Sequence, residues 1–260
     1  MLDNESTKQP GNQLKSRRGI YLLPNMITTA AMFSGFYAIV AAMDERFEAA
    51  AVAIFIAMVL DGLDGRVARL TNTQSDFGVQ YDSLSDMVCF GLAPALVVYE
   101  WSLKSMVSVG WAKFGWLAAF IYAASAALRL ARFNSQVATA EKGYFRGLPS
   151  PSAAGVLAGM VWAATDTGLG GESLVYVAFV LTISMGLLMV SNIRYHSFKE
   201  INFKNRVPFV AILIVVLVYV FASIDPPKVL FSVFMIYAIF GIVYTLVEVR
   251  RRRMARKRGE

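Results

Sequence analysis

The sequence predicts an all-α integral membrane protein of about eight transmembrane helices, with both termini cytoplasmic. Three observations carry this. Apolar residues make up 57% and charged residues only 17% of the 260 positions, where a soluble domain of this size carries roughly a quarter charged residues. The apolar residues fall in blocks of about 17–25, the length that crosses a hydrocarbon layer of ~30 Å. When the blocks are threaded in alternation, 21 of the 25 lysines and arginines fall on one side, and the positive-inside rule makes that side the cytoplasm.

The segment 1–20 carries Lys8, Lys15, Arg17 and Arg18 without an apolar run. It reads as a basic cytoplasmic segment rather than a cleavable signal peptide. The transmembrane domain spans 21–249. Its first span, 22–43, ends at Asp44, Glu45 and Glu48, a solvated outer turn, and the second, 47–69, returns to the inside. The short connection Leu70–Asp76 makes the third span, 77–99, its expected antiparallel neighbour. The fourth, 111–132, ends inside at Arg129 and Arg132. Pro149 and Pro151 set the start of the fifth, 150–166, where a missing N–H costs nothing. The sixth (173–192), seventh (207–224) and eighth (227–249) are separated by short polar connections, the basic one running from Arg194 to Arg206. Tyr21, Trp101, Trp111 and Tyr195 read as interfacial aromatics, His196 as interfacial and Cys89 as packed apolar.

The tail 250–260 holds Arg250–Arg253, Arg256, Lys257 and Arg258. Directly after a span, such a run is a topology determinant or a contact to anionic lipid; nucleic acid is not expected as a partner.

A single cysteine and a single histidine exclude an intramolecular disulfide and any cysteine-cluster or multi-histidine metal site. A metal here must take oxygen ligands, which selects magnesium, manganese or calcium. Residues 61–86 read DGLDGRVARLTNTQSDFGVQYDSLSD. At about 100° per residue, Asp61, Asp64, Gly65, Ala68 and Arg69 share one face of span two. Asp82 and Asp86 share a face of span three beside Gly78.

Four carboxylates meeting at one membrane end repel each other, and each costs roughly 2.5–3.5 kcal/mol deep in a span. One or two divalent cations satisfy both demands. Gly65, Ala68 and Gly78 admit either close approach of a ligand to the backbone or close helix packing. A cation transporter is a rival reading of intramembrane acids, but it leaves the Gly65-x2-Ala68-Arg69 spacing unexplained.

This segment resembles, without a gap, the signature of the CDP-alcohol phosphatidyltransferase family, D-x2-D-G-x2-A-R-x8-G-x3-D-x3-D. The resemblance implies a helical bundle of that family's kind, a homodimer, and displacement of CMP from a CDP-linked substrate by a hydroxyl. It implies that Asp61, Asp64 and Asp82 are ligands of two Mg2+ or Mn2+ ions. Asp86 is implied as general base, with a further contact to metal. Arg69 and Ser75 are implied at the nucleotide and its phosphates, with Gly65, Ala68 and Gly78 around them. Asn25 and Thr28 of the PNMIT stretch resemble another substrate-contacting segment.

FGLAPA at 90–95, RLARFN at 129–134 and FRGLPSPSAAG at 145–155 resemble the phosphatidylserine synthase branch. That implies CDP-diacylglycerol and L-serine as substrates, membrane lipid as the surroundings, and a cytoplasm-facing site in a bacterial inner membrane. A serine acceptor demands a grip on a carboxylate. Arg129, Arg132 and Arg146 suit that demand or a lipid phosphate, and Asn134 adds a polar contact; the alternative is that these are inside-positive anchors. The same chemistry with glycerol 3-phosphate or inositol phosphate is the alternative activity.

Overall fold

The computed structural model describes residues 11–107, 110–136, 144–196, 217, 220, 221 and 223–258. Among these residues it is an all-α membrane bundle apart from one two-stranded ribbon. The elements are α1 (Gly11–Met43), α2 (Phe47–Leu70), α3 (Asp76–Asp86), a π-helical turn (Met87–Leu92), α4 (Ala93–Trp101), α5 (Ala112–Gln136), β1 (Tyr144–Arg146), α6 (Ser150–Asp166), α7 (Val175–Val190), β2 (Arg194–His196) and α8 (Pro226–Arg258). Short 3-10 turns precede α5 and α7. Among the described residues, five stretches are long and apolar enough to cross a membrane: Leu22–Met43, Asp76–Trp101, Lys113–Ser135, Gly171–Val190 and Pro226–Thr245. Helices also occupy the expected second and fifth spans, one interrupted by motif charges and the other 17 residues long. The expected seventh span lies almost wholly outside the described residues.

Small side chains set the packing. α1 runs beside α2 through Ala38, Ala41 and Ala42 on one side and Ala50, Ala51, Ala53 and Ala57 on the other, all buried. Such surfaces let helix backbones approach where lipid offers no hydrophobic drive to associate. Ser34 Oγ adds a 2.8 Å hydrogen bond to the Ala53 carbonyl. Gly35 of α1 approaches the π turn just as tightly: a Cβ there would lie 2.9 Å from Cys89 Cα. Cys89 is buried, as expected, with Sγ 3.2 Å from the Ala31 carbonyl. α6, buried over most of its length, packs on α2 and α8, and α5 packs on α7.

The third span is not one regular helix. Pro94 has no N–H to offer the Phe90 carbonyl four residues earlier, and that oxygen instead accepts from Tyr122 Oη at 3.0 Å. The chain passes the interruption as a π turn immediately after Asp86.

Two aromatic expectations are corrected. Tyr195 is buried rather than interfacial. It stands over Gly241 of α8, where a Cβ would lie 2.0 Å from its ring, and its hydroxyl donates to the Ala238 carbonyl at 3.1 Å. Burial pushes its phenol up to about 12, so the donor proton stays in place. Trp101 is likewise buried, whereas Trp111 is half exposed. A position beside a span end reads alike in the sequence whether it faces headgroups or a neighbouring helix.

Tyr195 belongs to the ribbon, in which β1 and β2 pair antiparallel with Phe145 opposite Tyr195 and Arg146 opposite Arg194. The ribbon therefore fastens the segments that precede α6 and follow α7 to α8.

Candidate functional site

Asp61 and Asp64 lie in the second half of α2, and Asp82 and Asp86 in the second half of α3. One carboxylate oxygen each from Asp61, Asp64 and Asp82 lies within 4.8 Å of the other two. Asp64 is buried and the other three acids are partly buried. Asp86, one turn beyond Asp82, shares a hydrogen bond with Asp61 and lies in the field of Asp61, Asp82 and Arg129. Two like charges 4 Å apart repel by about 4 kcal/mol at an effective dielectric of ~20. A compact, all-oxygen donor set of this charge fits a hard divalent cation such as Mg2+ or Mn2+.

The two acid helices are not the direct neighbours that the short connection suggested. α2 and α3 make little contact, and α1 lies against both. The convergence is imposed through α1. Thr28 Oγ1 donates to Asp64 Oδ2 at 2.6 Å, and Ser85 Oγ, between the two acids of α3, donates to the Thr28 carbonyl at 3.2 Å. One turn away, Thr29 Oγ1 and Tyr81 Oη lie 2.9 Å apart.

The remaining motif residues surround this centre. Ser75 caps α3, its Oγ accepting the Gly78 N–H at 3.0 Å. Asn25 comes to the same point, its Oδ1 lying 3.6 Å from where a Gly78 Cβ would stand. Gly78 thus backs onto Ser75 and Asn25. Gly65 differs, because no described atom lies within 4 Å of an added Cβ. Among the described residues, helix packing therefore does not account for the small residue at 65, and its exposed surface, shared with Arg69 and edged by the half-buried Ala68, is open to a ligand.

The basic residues approach from α5. Arg129 Nη1 donates to Ser150 Oγ of α6 at 2.7 Å, while its charge acts on Asp86. Arg132 Nη2 donates to Asn192 Oδ1 at 2.7 Å. Asn134 Nδ2 donates to Ser83 Oγ, next to Asp82, at 3.0 Å. Arg146 pairs by its backbone with Arg194; its side chain lies outside the described residues.

Sequence reasoning passed over Ser83, Ser85, Ser150 and Asn192. The first two were visible as polar residues interleaved with the acids of YDSLSD. Ser150 and Asn192 carried no such signal, since each sits at a helix boundary where polar residues are ordinary.

Comparison with known proteins agrees with this architecture. The chain is 33% identical over 232 residues to CDP-diacylglycerol–serine O-phosphatidyltransferase of one Helicobacter pylori strain, covering 88% of this chain and 94% of that protein. For a second strain the figures are 35% over 227 residues, 86% and 91%. The enzyme of the same name from Methanocaldococcus jannaschii is 35% identical over 190 residues, covering 73% and 81%. The model of the CDP-alcohol phosphatidyltransferase family matches residues 21–188, from the start of the first span to the end of α7 and across every motif acid, and the chain belongs to that family.

Proposed function

We propose that this protein transfers the phosphatidyl group of CDP-diacylglycerol to the hydroxyl of L-serine, giving phosphatidylserine and CMP. The observation that carries the reading is the meeting of the Asp61, Asp64 and Asp82 oxygens within 4.8 Å. The acceptor is supported by relatives of that activity matching nearly the whole chain.

Asp61, Asp64 and Asp82, with Asp86 at the edge, would hold two Mg2+ or Mn2+ ions. When bound, these neutralise the pyrophosphate and stabilise departing CMP. Asp86 takes the proton of the serine hydroxyl as its oxygen attacks the phosphorus that bears diacylglycerol. The bond from that phosphorus to the CMP oxygen breaks, CMP keeps the electron pair, and no residue of the protein is phosphorylated. Asn25, Arg69 and Ser75 receive the CDP group over the open surface at Gly65 and Ala68, with Gly78 beneath. Arg129, Arg132, Arg146 and Asn134 divide the serine carboxylate and the lipid phosphate among them.

The domain covers 21–249 in eight spans, flanked by cytoplasmic segments 1–20 and 250–260. The site faces the cytoplasm of a bacterial inner membrane, an orientation supported by the distribution of lysine and arginine. The chain acts as a homodimer, as the family resemblance implies.

The test is CMP release by purified protein supplied with CDP-diacylglycerol, Mn2+ or Mg2+, and a panel of labelled alcohols. Release with serine alone among the panel is expected. Release with glycerol 3-phosphate or inositol phosphate instead would overturn the acceptor, and no release with any alcohol would overturn the reaction.

A further inference from the structure

We propose that Thr28 is a positioning residue that fixes the Asp64 carboxylate for metal, and that it does not touch the nucleotide as the family resemblance implies. The proposal rests on Asp61, Asp64 and Asp82 being metal ligands. Thr28 is only 4% exposed, which leaves little surface for a substrate. Its one hydroxyl proton has two oxygens in reach, Pro24 O at 3.0 Å and Asp64 Oδ2 at 2.6 Å. The first is the helical i−4 carbonyl, which the Thr28 backbone N–H already serves in a regular helix. The second is a carboxylate, at the short distance of a charge-assisted bond. The proton therefore belongs to Asp64.

The contact with Pro24 has its own effect. A helical threonine divides between two χ1 rotamers, and reach to the i−4 carbonyl belongs to one of them. That rotamer is the one found here, and it brings Oγ1 to Asp64.

The same residue is also held from α3, because Ser85 Oγ donates to its carbonyl at 3.2 Å. Ser85 lies between Asp82 and Asp86. Thr28 thus ties one acid helix through its side chain and the other through its backbone, across a pair that scarcely packs together. Held in this way, Asp64 brings a carboxylate oxygen within 4.8 Å of one from each of Asp61 and Asp82. A partner of this kind removes the carboxylate's rotational freedom before metal arrives, and losing such a partner typically weakens metal binding about 10–100-fold.

The test uses full-length protein in detergent without substrate, titrated with Mn2+ and read by the electron paramagnetic resonance of the free ion. Thr28→Val keeps the shape and removes the hydroxyl; a loss of about 10–100-fold in Mn2+ affinity is expected. Thr28→Ser restores the donor and should bind within about threefold of wild type. At saturating Mn2+, the KM of Thr28→Val for CDP-diacylglycerol should stay near the wild-type value.

Unchanged Mn2+ affinity in Thr28→Val together with a raised KM for CDP-diacylglycerol would overturn the proposal in favour of nucleotide contact. Where a metal-free melting curve shows that Thr28→Val does not fold, Thr28→Cys replaces it, with wild-type affinity again the overturning result. Wild-type protein that takes up no Mn2+ would overturn the metal reading of the aspartates, whereas normal wild-type uptake with unchanged Thr28→Val uptake overturns the Thr28 assignment alone.

Discussion

Asp61, Asp64, Asp82 and Asp86 reach the site from two helices and lie within 26 consecutive positions, drawn together until three of their oxygens are within 4.8 Å. Arg129, Arg132 and Asn134 approach from one helix, yet each is fastened to a different element: Ser150 of α6, Asn192 after α7 and Ser83 of α3. The acidic wall is a cluster of like charges, which persists only with a countercharge or a shared proton in the gap. The basic wall is a row of groups hydrogen-bonded to neutral polar partners, which leaves the charge of Arg132 available to an anion while that of Arg129 acts on Asp86. The acidic groups are therefore concentrated in one short segment, while the groups facing them are held by three contacts distant in sequence.

The widest break in this contrast comes from the acids that join the cluster. Asp61→Asn and Asp82→Asn each keep the side-chain volume and remove a charge from the three-oxygen group. CMP release should fall to background in both, with Mn2+ uptake reduced in parallel. Turnover that survives either change would show that the convergence does not serve the reaction. Asp86→Asn should separate chemistry from binding: CDP-diacylglycerol still binds, while turnover drops about 10²–10⁴-fold, the usual contribution of a positioned general base. Normal turnover would remove Asp86 from that role.

Two glycines sharpen the comparison between structure and site. At Gly35 an added Cβ meets the backbone of the π turn at 2.9 Å, so Gly35→Val should cost about 1–3 kcal/mol of stability by overpacking. At Gly65 an added Cβ meets no described atom. Gly65→Leu should therefore leave the melting temperature unchanged and weaken CDP-diacylglycerol binding. The reverse pattern would place helix packing at 65 and the ligand elsewhere.

The acidic wall was legible in the sequence because its signal is local. A helical period of about 3.6 residues and two runs of acids and small residues are enough to place four carboxylates on two faces. The helical class was legible for the same reason, since a block such as 22–43 announces its own length and polarity. What joins the blocks was not. The role of α1 as the splint between α2 and α3 depends on Thr28 meeting Asp64, 36 residues away, and one threonine in an apolar run carries no mark of its partner. Tyr195 was misplaced because its cover is Ala238 and Gly241, on a helix beyond the described ribbon. The break in the third span had a visible cause in Pro94, but the oxygen it leaves to another donor is served by Tyr122, 32 residues on.

The smallest expected effect probes the least local contact. Arg132 is partly buried and Asn192 is exposed, so water can replace the amide when it is removed. Asn192→Ala should then change a substrate KM by only about two- to fivefold, the scale of one net hydrogen bond. Which KM moves is the informative part. A rise for serine alone assigns Arg132 to the amino-acid carboxylate, and a rise for CDP-diacylglycerol alone assigns it to the lipid phosphate. If neither moves while Arg132→Ala also leaves both unchanged, Arg132 is an anchor at the membrane face. The basic wall would then narrow to Arg129, whose charge already acts on Asp86, and Asn134.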